Sequence, residues 1–400
     1  MRVALLTREY PPEVYGGAGV HVEYLARELA GLVDLEVHCW GGERPDDSHP
    51  PVVAHRPWQA LGRKEPWVPA LQTLSVDLTM AASVDGVELV HSHTWYANLG
   101  GHLAKLVHDV PHVATVHSLE PMRPWKAEQL GGGYAVSSFC ERTALEAADA
   151  VVAVSGEQRR DLLACYPAVE AERVSVIGNG IDTTEYRPDP ETDVLERQGI
   201  DPERPSVLFV GRITRQKGLG HLIAAARAFE PDAQLVLCAG APDTPELAAE
   251  TKAQVERLRG RRDGVFWLEQ MLAKSEVIQL LSHATVFVCP SIYEPLGIVN
   301  LEAMACETAV VASATGGIVE VVDDAETGLL VPLELDEATH DPRDAAACAS
   351  AFAERLNELV RDPDRAAAMG RAGRARAVER FAWPAIASRT ADLYHDLARA

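Results

Sequence analysis

SVLFVGRITRQKG, residues Ser206–Gly218, decides how this 400-residue chain is read. Ser206–Val210 is an apolar run of strand length, and Gly211 punctuates its end. Arg212, Arg215 and Lys217 follow within six residues, beside Gly211 and Gly218. The formal charge of the chain is −22, so three cations packed against glycines stand out from their surroundings. Arg grips two oxygens as a fork and Lys supplies a point charge, while glycine admits a ligand close to the backbone. A strand running into such a loop suits a diphosphate at the mouth of a parallel sheet; a solvated basic turn is the plainer alternative.

Reading outward from this stretch, short apolar runs alternate with longer amphipathic segments, the pattern of βαβ units. Upstream the expected strands are Arg2–Leu6, Leu35–Trp40, Leu89–Ser92, His112–Val116, Val151–Val154 and Val174–Ile177. From Ser206–Val210 onward they are joined by Gln234–Cys238, Val265–Leu268, Thr285–Cys289, Ala309–Ala312 and Leu329–Val331. The repetition predicts an α/β protein of two Rossmann-like, doubly wound domains. We divide it into an N-terminal domain over 1–185, a Pro-, Asp- and Glu-rich linker over 186–205, and a C-terminal domain over 206–382. A helix over 383–400, with Pro384 in its first turn, can return to the N-terminal domain.

Composition narrows the function. The 59 acidic residues outnumber the 37 Lys and Arg, which argues against a nucleic-acid partner. No segment reaches the roughly 18 apolar residues of a membrane span, and the opening Met1–Leu6 is too short for a signal peptide, so no membrane partner and a cytoplasmic location are expected. The seven cysteines, Cys39, Cys140, Cys165, Cys238, Cys289, Cys306 and Cys348, contain no C-x-x-C and read as reduced thiols.

Ligands of open α/β sheets sit beyond the carboxyl ends of the strands, and the unusual residues gather there. After the first strand, Gly16-Gly17-Ala18-Gly19 precedes a helix opening near Val20, whose N–H groups can face an anion. Neither Gly17-x-Gly19 nor Gly218-x-Gly220 completes G-x-G-x-x-G, which disfavours an oxidoreductase. After Thr285–Cys289 comes Pro290-Ser291-Ile292-Tyr293-Glu294-Pro295-Leu296-Gly297, then an expected helix over Leu296–Met304 carrying Glu302. Glu294 and Glu302 are candidate acceptors for sugar and ribose hydroxyls. Ala314-Thr315-Gly316-Gly317 is a further glycine turn on the same edge. His117 ends the strand His112–Val116 and can bond a sugar hydroxyl. His91 and His93 follow another strand beside Trp95, a potential aromatic platform. As a metal pair they lack a third ligand nearby in sequence, so no metal site is expected.

Taken in order, these motifs resemble those of the GT-B retaining glycosyltransferases of the glycogen-synthase type. The resemblance rests on Gly16-Gly17, His117, Asn179-Gly180-Ile181-Asp182, Gly211-Arg212 with Lys217-Gly218, Glu294-x7-Glu302 and Thr315-Gly316-Gly317. It implies two Rossmann-like domains facing across a cleft that closes over its substrates, the first binding acceptor and the second nucleotide-sugar. The opening Leu6–Gly17 looks like that of the actinobacterial α-maltose-1-phosphate synthases. That implies ADP-glucose as donor, α-glucose 1-phosphate as acceptor and a role in glycogen or α-glucan synthesis. Chain-elongating starch and glycogen synthases carry Lys-Thr-Gly-Gly-Leu in the first loop, where this chain has Val14-Tyr15-Gly16-Gly17-Ala18. They also often have a cysteine at the position of Leu296.

Carried over by position, the resemblance gives catalytic roles to His117, Arg212, Lys217 and Glu294. It gives donor binding to Gly16, Gly17, Arg212, Lys217, Glu294, Leu296, Gly297, Ile298, Glu302, Gly316 and Gly317. Arg8, Tyr15, Trp95, Arg123 and Lys126 are candidate acceptor contacts. The reaction needs no cofactor, no metal and no enzymic nucleophile. Alternatives are elongation of an α-glucan, transfer from another sugar nucleotide, and a non-catalytic sugar-binding protein. The oligomeric state is not read from the sequence, a homodimer being one option.

Overall fold

The computed structural model describes residues 1–399 apart from Tyr15, Asp46, Glu337, Ala338 and His340. Tyr15, among the candidate acceptor contacts, thus lies outside the described residues. The chain forms two compact units: Met1–Gly180 together with the segment from Trp383, and Ile181–Ala382.

The first unit holds strands β1 (Arg2–Thr7), β2 (Asp34–Trp40), β3 (Val52–His55), β4 (Leu89–His93), β5 (His112–Val116), β6 (Ala150–Ala153) and β7 (Val174–Val176). They lie in the order β3-β2-β1-β4-β5-β6-β7, and every pair is parallel. Parallel strands are covered on both faces, which is why they read as continuous apolar runs. In β1, Val3 and Leu5 enter one core while Ala4 and Leu6 enter another. β3 escaped the sequence reading because it is a four-residue edge strand in which only His55 is buried, so it has no buried apolar run.

The second unit holds β8 (Ser206–Arg212), β9 (Gln234–Gly240), β10 (Val265–Leu268), β11 (Val286–Cys289), β12 (Ala309–Ser313) and β13 (Gly328–Val331). Their order is β10-β9-β8-β11-β12-β13, again parallel throughout. The stretch read as a linker carries the helix Asp193–Gln198 and buries Tyr186, Val194, Leu195 and Ile200. The Gln279 side chain fastens it, accepting from Val194 N–H at 2.6 Å and donating to Asp193 at 2.8 Å.

Counted from its own start, the second sheet has the strand order 3-2-1-4-5-6 of dinucleotide-binding folds, and the first has the same order with a seventh strand added at the β6 edge. The order reverses between β1 and β4 in the first unit and between β8 and β11 in the second. A crevice opens at such a switch point beyond the strands' carboxyl ends. The C-terminal helix Trp383–Leu397 packs on the helix Gly17–Leu29, with Trp383, Ile386, Ala387, Ala391 and Tyr394 in the same core as β1.

Candidate active site

In the second unit, three loops converge at the β8/β11 switch point. Arg212 ends β8, and Arg215–Lys217 forms a single turn capped by Thr214, whose hydroxyl accepts from Lys217 N–H. The Lys217 ammonium donates to Glu294 Oε2 at 2.6 Å, and Ser291 Oγ donates to the same oxygen at 3.1 Å. Arg212 donates to Asp243 at 3.1 Å. Burial opposes the Lys217 charge, but Glu294 outweighs it and the ammonium's pKa is raised. Glu302, half-buried on the helix Ile298–Ala305, accepts from the Tyr186 hydroxyl at 3.1 Å. Its pKa is raised by burial, the Tyr186 bond working the other way.

Glycine is needed here chiefly so that loops can touch. A Cβ on Gly218, which has φ +64°, would lie 1.9 Å from the Pro290 carbonyl oxygen. At Gly316, with φ +53°, it would lie 1.9 Å from the Glu294 carbonyl oxygen. Gly317 N–H donates to that same carbonyl at 2.9 Å, and Ile292 N–H donates to the Gln216 carbonyl at 2.9 Å. The glycine turn therefore fixes the backbone of Glu294, while Gln216 fixes the segment before it. Gly297 caps the Ile298–Ala305 helix, which begins two residues later than expected from Leu296 because φ at Gly297 is +88°. Leu296 is buried, and the side-chain amide of Asn300, fully buried beside Gly297, has no hydrogen-bond partner among the described residues.

In the first unit the β1/β4 switch point is lined with imidazoles. His91 and His93 share one face of β4, since strand side chains alternate, and that face is covered by the helices from Gly17 and Trp383. His117 follows β5. His21 comes from the Gly17–Leu29 helix, a contribution that sequence spacing did not reveal. His93 Nδ1 and His117 Nε2 are 3.0 Å apart. The His21 and His117 rings meet edge to face at 4.7 Å, and the His91 and His93 rings lie 4.3 Å apart. His21 Nδ1 bonds Asn179 Oδ1 at 2.6 Å; that oxygen only accepts, so His21 carries its proton on Nδ1. His91 is held by Thr115 Oγ1 at 2.6 Å and by the Tyr394 hydroxyl. Burial lowers the pKa of His21 to about 4 and pushes His91, His93 and His117 well below the usual histidine value. All four are therefore neutral at pH 7. Next to them Thr94 has φ +64° and ψ 163°, a strained conformation for a residue with a Cβ.

The remaining expectations divide. Gly16 caps the Gly17–Leu29 helix with extended backbone, and its N–H donates to Glu9 Oε2 at 2.7 Å, so a carboxylate of the chain itself already sits at that helix terminus. Trp95 is 3% exposed and packs with Ala70, Leu130 and Cys140; its indole is core and is not presented as a platform. The Arg8 guanidinium lies over the Tyr96 and Trp40 rings, 4.1 and 5.2 Å from their centroids. Arg123 donates to Ser118 at 2.7 Å and pairs with Glu120 at 3.7 Å, while Lys126 donates to Gln129 at 2.7 Å. No described helix is long and apolar enough to cross a membrane.

Comparison with known proteins agrees with this geometry. Residues 15–185 match the profile of Glycosyltransferase Family 4, and residues 191–376 match that of Glycosyl transferases group 1. Sucrose-phosphate synthase from Thermosynechococcus elongatus superposes with a TM-score of 0.79 at 26% identity, over 99% of this chain and 98% of that one. Two Rossmann-like units with these matches define a glycosyltransferase of the GT-B class. The α-maltose-1-phosphate synthase of Mycolicibacterium smegmatis is 56% identical over 98% of this chain and 99% of that protein. That of Mycobacterium tuberculosis is 53% identical over the same shares. The chain belongs to the α-maltose-1-phosphate synthase family of GT-B glycosyltransferases.

Proposed function

We propose that this glycosyltransferase moves glucose from ADP-glucose to α-glucose 1-phosphate with retention of configuration, giving α-maltose 1-phosphate in the cytoplasm without a divalent metal. The observation that carries the reading is the Lys217–Glu294 pair beside Arg212, in a relative of proteins named α-maltose-1-phosphate synthase. When the donor enters, Lys217 and Arg212 turn to its diphosphate, and Glu294, released from Lys217, accepts from glucose hydroxyls. Glu302 takes the ribose hydroxyls. The first turn of the Ile298–Ala305 helix leaves N–H groups free of intrahelical partners and adds donors for phosphate. The resemblance adds Gly16, Gly17 and His117 of the first unit to the donor's contacts, with Glu9 first leaving the Gly16 N–H. Charge developing on the leaving phosphate is met by fixed cations, and a phosphate oxygen accepts the acceptor's proton, so no enzymic nucleophile enters.

A phosphorylated acceptor requires a cation, because a dianion is repelled by a chain of net charge −22. Arg8 keeps its guanidinium stacked on aromatic rings rather than on a described carboxylate, so we assign it first to the acceptor phosphate. The burial of Trp95 removes one platform that a long glucan would use. The test is product analysis by NMR with ADP-glucose or UDP-glucose plus α-glucose 1-phosphate, in excess EDTA. An α-linked disaccharide phosphate formed from ADP-glucose is expected. Activity abolished by EDTA and restored by Mg²⁺ or Mn²⁺, or a β-linked product, would overturn the reading.

A further inference from the structure

The imidazole cluster of the first unit holds more coordination capacity than a sugar contact uses. His21, His93 and His117 each offer a ring nitrogen, and the three nitrogens lie within 4.8 Å of one another. His21 and His93 are buried, and His117 is half-buried. Two features suit a metal ion. His21 donates its Nδ1 proton to Asn179 Oδ1, the outer support that fixes the tautomer of metal-binding histidines and leaves Nε2 with a free lone pair. His93 Nδ1 and His117 Nε2 are 3.0 Å apart, against the roughly 3.3 Å that two nitrogens span around a tetrahedral zinc with Zn–N of about 2.0–2.1 Å.

We propose that His21, His93 and His117 form a three-imidazole site for a transition-metal ion of the Zn²⁺ class, whose occupation withdraws His117 from the sugar. Neutral imidazole suits zinc, copper, nickel and cobalt, whereas Mg²⁺ and Ca²⁺ prefer oxygen ligands that this cluster lacks. In the metal-free protein one of the two facing nitrogens of His93 and His117 carries a proton. On coordination that proton passes to the other nitrogen of the same ring, so the ion replaces a hydrogen bond without net proton release, and water completes the fourth position. A tilt of the His21 ring that keeps its Nδ1–H on Asn179 Oδ1 closes the remaining distance. The ion would be an inhibitor, a consequence that rests on His117 touching the sugar in the proposed reaction.

The experiment titrates Co²⁺ into the full-length metal-free protein, follows visible d–d absorption, and displaces Co²⁺ with Zn²⁺. One equivalent with a four- or five-coordinate spectrum and no thiolate charge-transfer band is expected. His93→Gln should abolish the band and Asn179→Ala should weaken binding about 10–100-fold, while His395→Gln, at an exposed position, leaves it unchanged. Since His93→Gln places a polar amide in the core, imidazole ¹⁵N NMR of the unaltered protein gives a second reading: Zn²⁺ should shift three histidines together. No cobalt spectrum at saturation, a band that survives in folded His93→Gln protein, or zinc shifts confined to other histidines would overturn the site. If the ion binds and transfer from ADP-glucose continues undiminished, the inhibitory role of His117 fails while the site stands. If no ion binds, the site fails and the transferase reading is untouched.

Discussion

Lys217→Ala separates the catalytic and structural duties of one charge. The Lys217 side chain is 21% exposed and that of Glu294 10%. Removing the ammonium leaves the Glu294 carboxylate in that site with the Ser291 hydroxyl as its side-chain donor among the described residues. Exposed ion pairs are worth under about 1 kcal/mol, whereas removing one partner of a fully buried pair costs about 3–5 kcal/mol. A pair about one-fifth exposed at its cation falls between, so folding should lose about 1–2 kcal/mol. On a solvated basic turn the same change would cost about 0.5 kcal/mol or less; the bond to Glu294 raises it. Activity should fall further, since one preorganised charge aimed at a leaving group is worth on the order of 3 kcal/mol, about a hundredfold in kcat. Glu294→Gln added to Lys217→Ala removes the stranded charge, so it should recover stability but not turnover. The raised Lys217 pKa means the pair's contribution is fully present below the unfolded lysine value of about 10.4 and fades as pH rises through the folded value. Urea unfolding and kcat with ADP-glucose and glucose 1-phosphate measure the two effects. A folded Lys217→Ala protein with turnover within about threefold of the parent would refute the reasoning, since about 0.7 kcal/mol is too little for a transition-state contact.

Three further outcomes are expected. Gly316→Ala should cost about 2–4 kcal/mol, from left-handed strain and from a Cβ placed 1.9 Å from the Glu294 carbonyl; Gly132→Ala, where a Cβ meets nothing within 4 Å, is the control, and equal melting temperatures would contradict the loop packing. Acid should unfold the first unit early: burial depresses His112 to about 3 and His55 to about 4, so their contribution is present above the unfolded value of about 6.5 and is lost as pH falls toward the folded ones. Each then forfeits about 2 kcal/mol by pH 5, and stability unchanged between pH 7.5 and pH 5 would contradict this. Tyr186→Phe should weaken donor binding only a few-fold, by removing one hydroxyl from Glu302; titration with ADP-glucose measures it, and a hundredfold loss would assign the hydroxyl a larger part.

What the sequence revealed, and what it hid, follow from locality. Twelve strands were legible because parallel strands buried on both faces write themselves as apolar runs, and among the described residues only the half-exposed edge strand Val52–His55 was missed. Arg212, Lys217, Glu294 and Glu302 were found because each follows a strand or glycine signal in its own loop. Their partners were not: Asp243, Ser291 and Tyr186 carry no local signature, and two of them are distant in sequence. The same holds for His21, which reaches the β4/β5 histidines through the stacking of the Gly17–Leu29 helix; Asn179 was marked by its motif, but its bond to His21 was not. Trp95 misled in the opposite direction, since an aromatic after a strand reads equally as platform or core and packing made it core. A local signal marks that a residue is unusual; which neighbour neutralises it is decided by tertiary contact.

The acceptor is the centre of the account, and competition measures it directly. The protein receives labelled ADP-glucose with α-glucose 1-phosphate and glycogen together, and products are resolved by mass. Label entering a disaccharide phosphate ahead of glycogen is the predicted result, and Arg8→Ala should raise the KM for glucose 1-phosphate more than it changes the KM for ADP-glucose. Label entering glycogen with no disaccharide phosphate would contradict the account and make the enzyme a polymer elongator.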